Sequence, residues 1–377
     1  MPGEPFSIAI PQVVLDDLQE RLERTRWPDA IPDAGWDYGA DAEYMGELID
    51  YWTFRFDWRA QEAALNRFDH YRAEVDGIGI HFIHQRGSGD NPTPLLLLHG
   101  WPSSFVQMVD LIPLLTEPGG DDGDTAVSFD VVAASLPGYG FSDIPATRGM
   151  SVARMAELFH SLMTDVLGYG RYAARGSDLG AGVISQLSLR HPEPLIGIHL
   201  SGTNPYVMDV PADLTPAEQE FVANAQQWMQ TEMAYAMEHA SKPQTLAYGL
   251  TDSPAGLAAW IVEKFWRWSD HDGNLDDAFS KNQLLTNLMI YWVAGTINAS
   301  TLLYFETVHD PGAWGRIDVP SAYLMTAKDM FPTPREWIER TARVDHWTEI
   351  DRGGHFLEGE VPVLVAADLR AFFSGLR

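Results

Sequence analysis

Cysteine is absent from all 377 residues of the chain. Its absence excludes a disulfide framework, a thiolate metal site and a cysteine nucleophile. Positive charge is scarce as well: 25 lysines and arginines stand against 53 aspartates and glutamates, which leaves a formal net charge of -28. A protein of this charge repels phosphate backbones and anionic lipid, so we expect no binding to nucleic acid or to a membrane surface.

Long hydrophobic runs are missing too. The longest apolar runs have only the length of a strand, which is too short for a membrane-spanning helix. The opening residues, Met1-Pro2-Gly3-Glu4-Pro5, lack the basic and apolar regions of a signal peptide. The absence of cysteine favours a cytoplasmic protein, which we expect here. The basic residues are mostly arginine, a bias typical of a GC-rich bacterial gene.

The chain does contain enough apolar surface for a large core, with 45% hydrophobic and 11% aromatic residues. We interpret it as one α/β unit that carries an N-terminal region and an insertion. Residues 1–75 form the N-terminal region, which is expected to wrap around the core. Apolar residues recur there at helical spacing from 11 to 26, and a dense aromatic group between 36 and 58 favours packing on a larger body.

From residue 76 onward, short apolar runs alternate with helical stretches, which is typical of a buried and mostly parallel sheet. The predicted strands lie at 79–84, 94–98, 129–135, 172–175, 195–200, 323–326 and 347–350. Residues 204–315 interrupt the series with a helical pattern that is clearest at 218–237, 257–268 and 283–296. Such an insertion is too long for a loop, so we predict a helical lid between core segments 76–203 and 316–377.

Asp178 is the strongest candidate for a nucleophile. It is the central residue of Gly176-Ser177-Asp178-Leu179-Gly180, between a predicted strand and a helix-forming stretch at 183–190. Small flanking residues are what a strained strand-turn-helix elbow requires. A carboxylate there is already ionised at neutral pH and needs no general base to attack. The motif alone is weak, since an aspartate near two glycines is commonly a turn or a helix cap.

A second motif, His99-Gly100-Trp101-Pro102, closes the 94–98 strand, at the point where folds with this elbow have their other oxyanion donor. We expect the backbone N–H groups of Trp101 and Leu179 to converge on one oxygen. His99 itself is expected to support the loop through a hydrogen bond.

Asp329 and His355 complete a candidate triad. Asp329 follows the 323–326 strand, and His355 follows the 347–350 strand within Gly353-Gly354-His355-Phe356. The chain order of nucleophile, acid and histidine is that of the α/β-hydrolase fold, which is the predicted fold class. Neutral His355 would take a proton from water while Asp329 fixes its tautomer. Each residue alone would be a turn aspartate or a loop histidine, but their order on successive strand ends favours a triad.

Further segments match a known family. They are the N-terminal stretch from Pro5-Phe6 through Arg24-Thr25-Arg26-Trp27-Pro28, then Phe56-Asp57-Trp58-Arg59-Ala60-Gln61-Glu62, Leu136-Pro137-Gly138-Tyr139-Gly140-Phe141-Ser142, and the lid segment from Lys242-Pro243-Gln244-Thr245 through Asp252-Ser253-Pro254. Over nearly its whole length the chain resembles the epoxide hydrolases of the microsomal type, which carry an N-terminal epoxide-hydrolase region ahead of an α/β-hydrolase core.

The resemblance implies that the protein converts an epoxide and water to a vicinal diol through an ester on Asp178. It further implies that two lid tyrosines, Tyr235 and Tyr304, hold the epoxide oxygen. Phenols suit this role because the leaving alkoxide is poor, and a phenol can deliver a proton or a strong hydrogen bond to it. Without the resemblance, a buried lid tyrosine would be an ordinary core residue.

The chain departs from the usual family pattern in two features, the elbow and the acid. Ser177 and Leu179 flank the nucleophile in place of the more usual glycine and tryptophan or isoleucine, so the pocket floor is expected to differ. The acid is the shorter Asp329 where relatives can have glutamate. Glu336 is an alternative acid, although it lies at an expected helix start.

Two other functions stay open at this point. A haloalkane dehalogenase-like hydrolase would share the aspartate nucleophile, but Leu179 stands where dehalogenases usually have a halide-binding tryptophan. A non-catalytic homologue would use the pocket to bind a small ligand. We expect a small hydrophobic epoxide as substrate, and neither a metal nor an organic cofactor, because the sequence has no clustered ligand set. A homodimer stays open.

Overall fold

The computed structural model describes residues 3–89, 91–117, 127–202 and 210–376. Within these ranges, one central sheet contains nine strands, which are β1 (Glu4–Phe6), β2 (His70–Val75), β3 (Ile78–Gln85), β4 (Thr93–Leu98), β5 (Phe129–Ala134), β6 (Tyr172–Ser177), β7 (Leu195–Ser201), β8 (Ser321–Thr326) and β9 (His346–Ile350). Their order across the sheet is β1-β2-β3-β5-β4-β6-β7-β8-β9.

The sheet is mostly parallel. All pairs from β5 to β9 across the sheet are parallel, whereas β1, β2 and β3 are antiparallel at one edge, and β3 is also antiparallel to β5. Strands β5, β6 and β8 are buried along their whole length. Strands of a parallel sheet are covered on both faces, which explains their continuous apolar runs. The predicted α/β-hydrolase fold is therefore confirmed.

Strands β1 and β2 are not predicted by the sequence. β1 has three residues, and most of β2 is only partly buried, so neither shows the alternation that marks a strand. They pair with each other, with Phe6 opposite His70, and β2 pairs with β3. The N-terminal region thus extends the sheet as well as covering it.

The helices surround this sheet. They are α1 (Gln12–Glu23), α2 (Ala42–Phe54), α3 (Trp58–Leu65), α4 (Leu111–Thr116), α5 (Val152–Ser161), α6 (Leu179–Arg190), α7 (Pro216–Thr231), α8 (Ala234–Ser241), α9 (Pro243–Asp252), α10 (Pro254–Trp268), α11 (Lys281–Ala294), α12 (Ile297–His309), α13 (Arg335–Glu339), α14 (Leu357–Glu360) and α15 (Pro362–Ser374). Helices α1 and α2 of the N-terminal region both contact α10.

The insertion is helical, and it comprises α7 to α12. The helix expected at 218–237 is instead two helices, α7 and α8, which are separated at Glu232 and Met233. The helix expected at 283–296 ends at Ala294, because Gly295 takes a left-handed conformation with φ 63°. The expected boundary between core and insertion, at 203 and 204, lies outside the described residues.

Helix α11 fastens the insertion to the core beside the oxyanion motif. Asn287 Nδ2 donates to Pro102 O at 2.8 Å, and the Tyr291 hydroxyl donates to Ser103 O at 2.8 Å. Within the described ranges, no single helix is both long and apolar enough to span a membrane, and α11 and α12 meet the criterion only as a pair that bends by 86°.

Candidate active site

The site begins at the turn between β6 and α6. Asp178 occupies this turn with φ 52° and ψ -125°, a conformation that costs a residue other than glycine about 1 to 3 kcal/mol. A Cβ on Gly176 would lie 2.7 Å from the backbone of Gly180, and one on Gly180 would collide with the backbone of Leu98. The chain therefore forms the strained elbow that the sequence predicts, and it lifts the Asp178 carboxylate above the sheet edge.

The loop after β4 supplies a hydrogen-bond donor to this carboxylate. Trp101 N donates to Asp178 Oδ1 at 2.9 Å. Strands β4 and β6 are parallel neighbours, so their carboxyl ends meet at the same edge of the sheet. Leu179 is the first residue of α6, where a backbone N–H has no partner within the helix. Trp101 is thus in the position expected for an oxyanion donor, and Leu179 directly follows the nucleophile at the start of α6.

His99 lies beneath this loop, fully buried. Its Nδ1 is 3.0 Å from Gly100 O, and its Nε2 accepts from Leu136 N at 3.3 Å. Burial lowers the pKa of His99 to about 4. These two bonds support the structural role that the sequence suggests.

His355 connects the nucleophile to the acid. Its Nε2 is 3.5 Å from Asp178 Oδ2, and its Nδ1 is 2.9 Å from Asp329 Oδ1. Asp329 follows β8, and its Oδ1 also accepts from Met330 N at 2.7 Å. Glu336 lies in the first turn of α13. The structure thus brings the three predicted triad residues together and places Asp329 in the acid position.

The electrostatic surroundings of His355 favour its charged form. Burial of the imidazole lowers its pKa, but the negative charge of Asp329 and the hydrogen bonds and charge of both carboxylates outweigh burial and raise the pKa to about 10. At neutral pH these surroundings favour the imidazolium form of His355 in the free enzyme.

The two lid tyrosines lie above the oxyanion loop. Tyr235 is on α8 and Tyr304 on α12, both are buried, and these two helices pack against each other. The ring centroids of the two tyrosines are 6.2 Å apart. The Trp101 indole stacks on Tyr235 at 5.2 Å and meets Tyr304 edge-on at 6.1 Å. Both tyrosine rings thus contact the side chain of the residue whose backbone N–H donates to Asp178.

Aromatic rings complete the wall of the site. Trp268, the last residue of α10, has ring centroids 5.2 Å from Tyr235 and 5.4 Å from His355. His239 meets Tyr304 at 5.0 Å, and burial lowers the pKa of His239 to about 3, so it is neutral. A wall of this kind suits an apolar ligand with a single polar atom.

Sequence reasoning missed a buried ion pair under the nucleophile. Arg175 and Glu358, both fully buried, approach each other at 2.9 Å. Glu358 Oε2 also accepts from Gln107 Nε2 at 2.6 Å and from Ser177 Oγ at 3.3 Å. The only signal for it is an arginine within an apolar strand, because charged residues are almost never fully buried unless they are paired.

Comparisons with known proteins bear on the class of this site. A family model described as the epoxide hydrolase N terminus matches residues 3–108, and one described as the alpha/beta hydrolase fold matches residues 93–249. Fold and site together define an α/β-hydrolase.

Individual relatives narrow the class. A putative epoxide hydrolase of Stigmatella aurantiaca is 41% identical, over 99% of this chain and 85% of that protein. Epoxide hydrolase 1 of Sus scrofa is 31% identical, over 98% of this chain and 88% of that protein. The chain belongs to the epoxide hydrolase family, whose reaction adds water to an epoxide to give a vicinal diol.

Solved structures of epoxide hydrolases have the same fold as this chain. The juvenile hormone epoxide hydrolase of the silkworm Bombyx mori superposes with a TM-score of 0.88 at 30% identity, covering 99% of this chain and 94% of that one. The Aspergillus niger epoxide hydrolase superposes with a TM-score of 0.87 at 29% identity, covering 100% and 97%. The resemblance drawn from the sequence is confirmed, and epoxide hydrolysis is favoured over the dehalogenase-like and non-catalytic alternatives.

Proposed function

We propose that the enzyme works through a covalent ester on Asp178, which forms as the epoxide opens and is then hydrolysed by water. The observation that carries this proposal is the different surroundings of the two carboxylate oxygens. Oδ1 accepts the Trp101 N–H at 2.9 Å, whereas Oδ2 faces His355 Nε2 at 3.5 Å. One oxygen is held where an oxyanion would form, and the other is left to attack.

In the first half-reaction, Oδ2 of Asp178 attacks an epoxide carbon, and the bond from that carbon to the epoxide oxygen breaks. Tyr235 and Tyr304 hydrogen-bond the leaving oxygen, which takes up a proton as its charge develops. The aromatic wall excludes water and so strengthens both hydrogen bonds. The product of this step is an alkyl-enzyme ester that bears a free hydroxyl.

Ester formation also lowers the pKa of His355. The negative charge of Asp178 helps to raise that pKa, and this charge is removed when the carboxylate is esterified. The imidazolium can then give up its proton, which balances the proton that the alkoxide gains. Neutral His355 is the base that the next step needs.

In the second half-reaction, His355 takes a proton from a water molecule, which attacks Cγ of Asp178. Negative charge develops on Oδ1, where the Trp101 and Leu179 N–H groups stabilise it. Collapse of this intermediate breaks the bond between Cγ and Oδ2, and the leaving alkoxide takes the second proton of the attacking water. This step releases the diol and restores the Asp178 carboxylate, while the proton taken from water restores the imidazolium, so the proton balance closes over one turnover. Asp329 orients the His355 ring and stabilises its charged form.

We further propose a small hydrophobic epoxide as substrate, which the aromatic wall supports. A cytoplasmic location in a bacterium is part of the same proposal, supported by the net charge of -28 and the arginine-rich composition. No metal or organic cofactor takes part in the proposed steps. A homodimer is compatible with them and is not required by them.

The experiment uses His355→Gln, which removes the base and leaves Asp178 intact. Incubation with an epoxide that the unaltered enzyme turns over should give protein heavier by one substrate molecule, as read by intact-protein mass spectrometry. His309→Gln, at the exposed end of α12, is the matched control and should show no added mass. Finding only unmodified His355→Gln protein after prolonged exposure would remove His355 from the water-activating role.

A further inference from the structure

Two carboxylates that the proposed steps do not use hold the backbone around His355. Gly354 N donates to Glu360 Oε2 at 2.9 Å, and Phe356 N donates to Glu360 Oε1 at 2.9 Å. Both chain neighbours of His355 are therefore bonded to one partly buried side chain. Burial raises the pKa of Glu360, and the N–H groups that it accepts oppose that rise.

The lid shares this carboxylate. Asp270 follows α10, and its backbone N donates to the same Glu360 Oε2 at 2.7 Å. The Asp270 side chain reaches back to the core, where Oδ2 accepts from Gly353 N at 2.9 Å and Oδ1 pairs with Lys328 Nζ at 3.0 Å. Lys328 precedes the triad acid in the chain. Asp270 thus bonds the lid to the loops that carry the histidine and the acid.

The lid backbone also contacts the histidine loop directly. His355 N donates to Trp268 O at 2.7 Å, and a Cβ on Gly354 would collide with that same oxygen. Glycine at 354 is therefore required by the close approach of the lid backbone. The Trp268 ring contacts both Tyr235 and His355, so one lid residue touches groups of both half-reactions.

We propose that Glu360 and Asp270 are positioning residues for His355, and that they set the rate of ester hydrolysis by docking the lid segment 268–270 onto the histidine loop. This inference rests on the proposed ester mechanism. Its physical basis is alignment: a displacement of about 1 Å in a catalytic group can cost about 100-fold in rate. Asp178, the nucleophile of the first half-reaction, makes no hydrogen bond with either carboxylate in the described part of the chain.

The primary test is Glu360→Gln. An amide of the same size keeps one acceptor oxygen but turns an NH2 donor toward one of the backbone N–H groups that the carboxylate accepts. Single-turnover kinetics should show ester hydrolysis about 10- to 100-fold slower and ester formation changed by less than about threefold. The ester should therefore accumulate in the steady state, where mass spectrometry detects it.

A matched control separates positioning from loss of lid stability. Asp276→Asn removes a lid carboxylate that bonds the Tyr44 hydroxyl at 2.9 Å and does not contact the histidine loop. It should leave both half-reactions unchanged. A second readout uses the His355→Gln background, in which Glu360→Gln should slow residual hydrolysis by less than about twofold, because the group that it positions is gone.

Equal slowing of both half-reactions by Glu360→Gln, or full additivity with His355→Gln, would overturn the inference. If Glu360→Gln does not fold, Asp270→Asn decides, since its side chain is partly exposed and should slow hydrolysis alone by about 3- to 10-fold; unchanged hydrolysis then overturns it. Failure of the ester mechanism is distinguishable, because the unaltered enzyme would then form no covalent adduct.

Discussion

The core and lid halves of the site are built differently. On the core side, Asp178, His355 and Asp329 follow strand ends and are joined by polar contacts of 2.9 to 3.5 Å. On the lid side, Tyr235 and Tyr304 lie on helices, and the neighbouring rings that surround them have centroids 5 to 6 Å away. Charge and direction are fixed in the core, whereas in the proposed mechanism the lid supplies an aromatic wall and two phenol donors. Loss of a core group should therefore be nearly absolute, and loss of one lid group should be graded.

The largest loss of activity is expected at the nucleophile. Asp178→Ala removes the carboxylate on which the proposed ester forms. Diol formation should therefore fall by about 10⁴-fold or more, as measured by product release under saturating substrate. Thermal unfolding of the same variant should show that the protein is folded. Residual activity within about tenfold of the unaltered enzyme would contradict the role of Asp178 as the nucleophile.

Replacing the lid tyrosines should slow ester formation by degrees. Either Tyr235→Phe or Tyr304→Phe should slow ester formation by about 10- to 1000-fold, because one strong hydrogen bond in a dry site is lost while the other donor remains. The double change should be far worse, and hydrolysis of a preformed ester should be largely spared.

Tyr248→Phe is the matched lid control, because this tyrosine of α9 is 75% exposed, and it should leave ester formation unchanged. If both site tyrosines can be replaced together with the rate of ester formation unaltered, the lid does not hold the epoxide oxygen. Halogenated substrates with detection of free halide would then be the next assay.

A smaller effect concerns the charge of His355. Asp329→Asn removes the strongest of the interactions that raise its pKa, so the midpoint of its titration should fall from about 10, as followed by NMR of labelled histidine. The sign for stability follows. A raised folded pKa stabilises the fold fully below the unfolded value near 6.5, and this contribution is lost as pH rises toward about 10. An unchanged midpoint would contradict the electrostatic coupling of the triad.

The difference between core and lid also explains what the sequence predicts. The elbow and the triad order depend on short local motifs at strand ends, and the structure brings those residues together. The lid tyrosines have no local motif, and only the family resemblance points to them. Between α7 and α8 the helical period continues through Glu232 and Met233, so the break is invisible in the pattern.

Glu360 and Asp270 were missed for a different reason. They act on backbone N–H groups of residues that come together only in the folded chain, and no spacing of residue types marks such bonds. Strand β1 is likewise too short for any periodicity. The sequence therefore does not predict the polar contacts between distant segments that surround the predicted site residues.

The most direct test of the covalent mechanism is a single turnover in oxygen-18 water with enzyme in excess. The covalent mechanism predicts that the first diol is unlabelled, because its new oxygen comes from Asp178 Oδ2. Mass spectrometry of the peptide that contains Asp178 should find one oxygen-18 in the carboxylate. Label in the first diol together with an unlabelled carboxylate would mean that water attacks the epoxide directly, and would contradict the covalent mechanism.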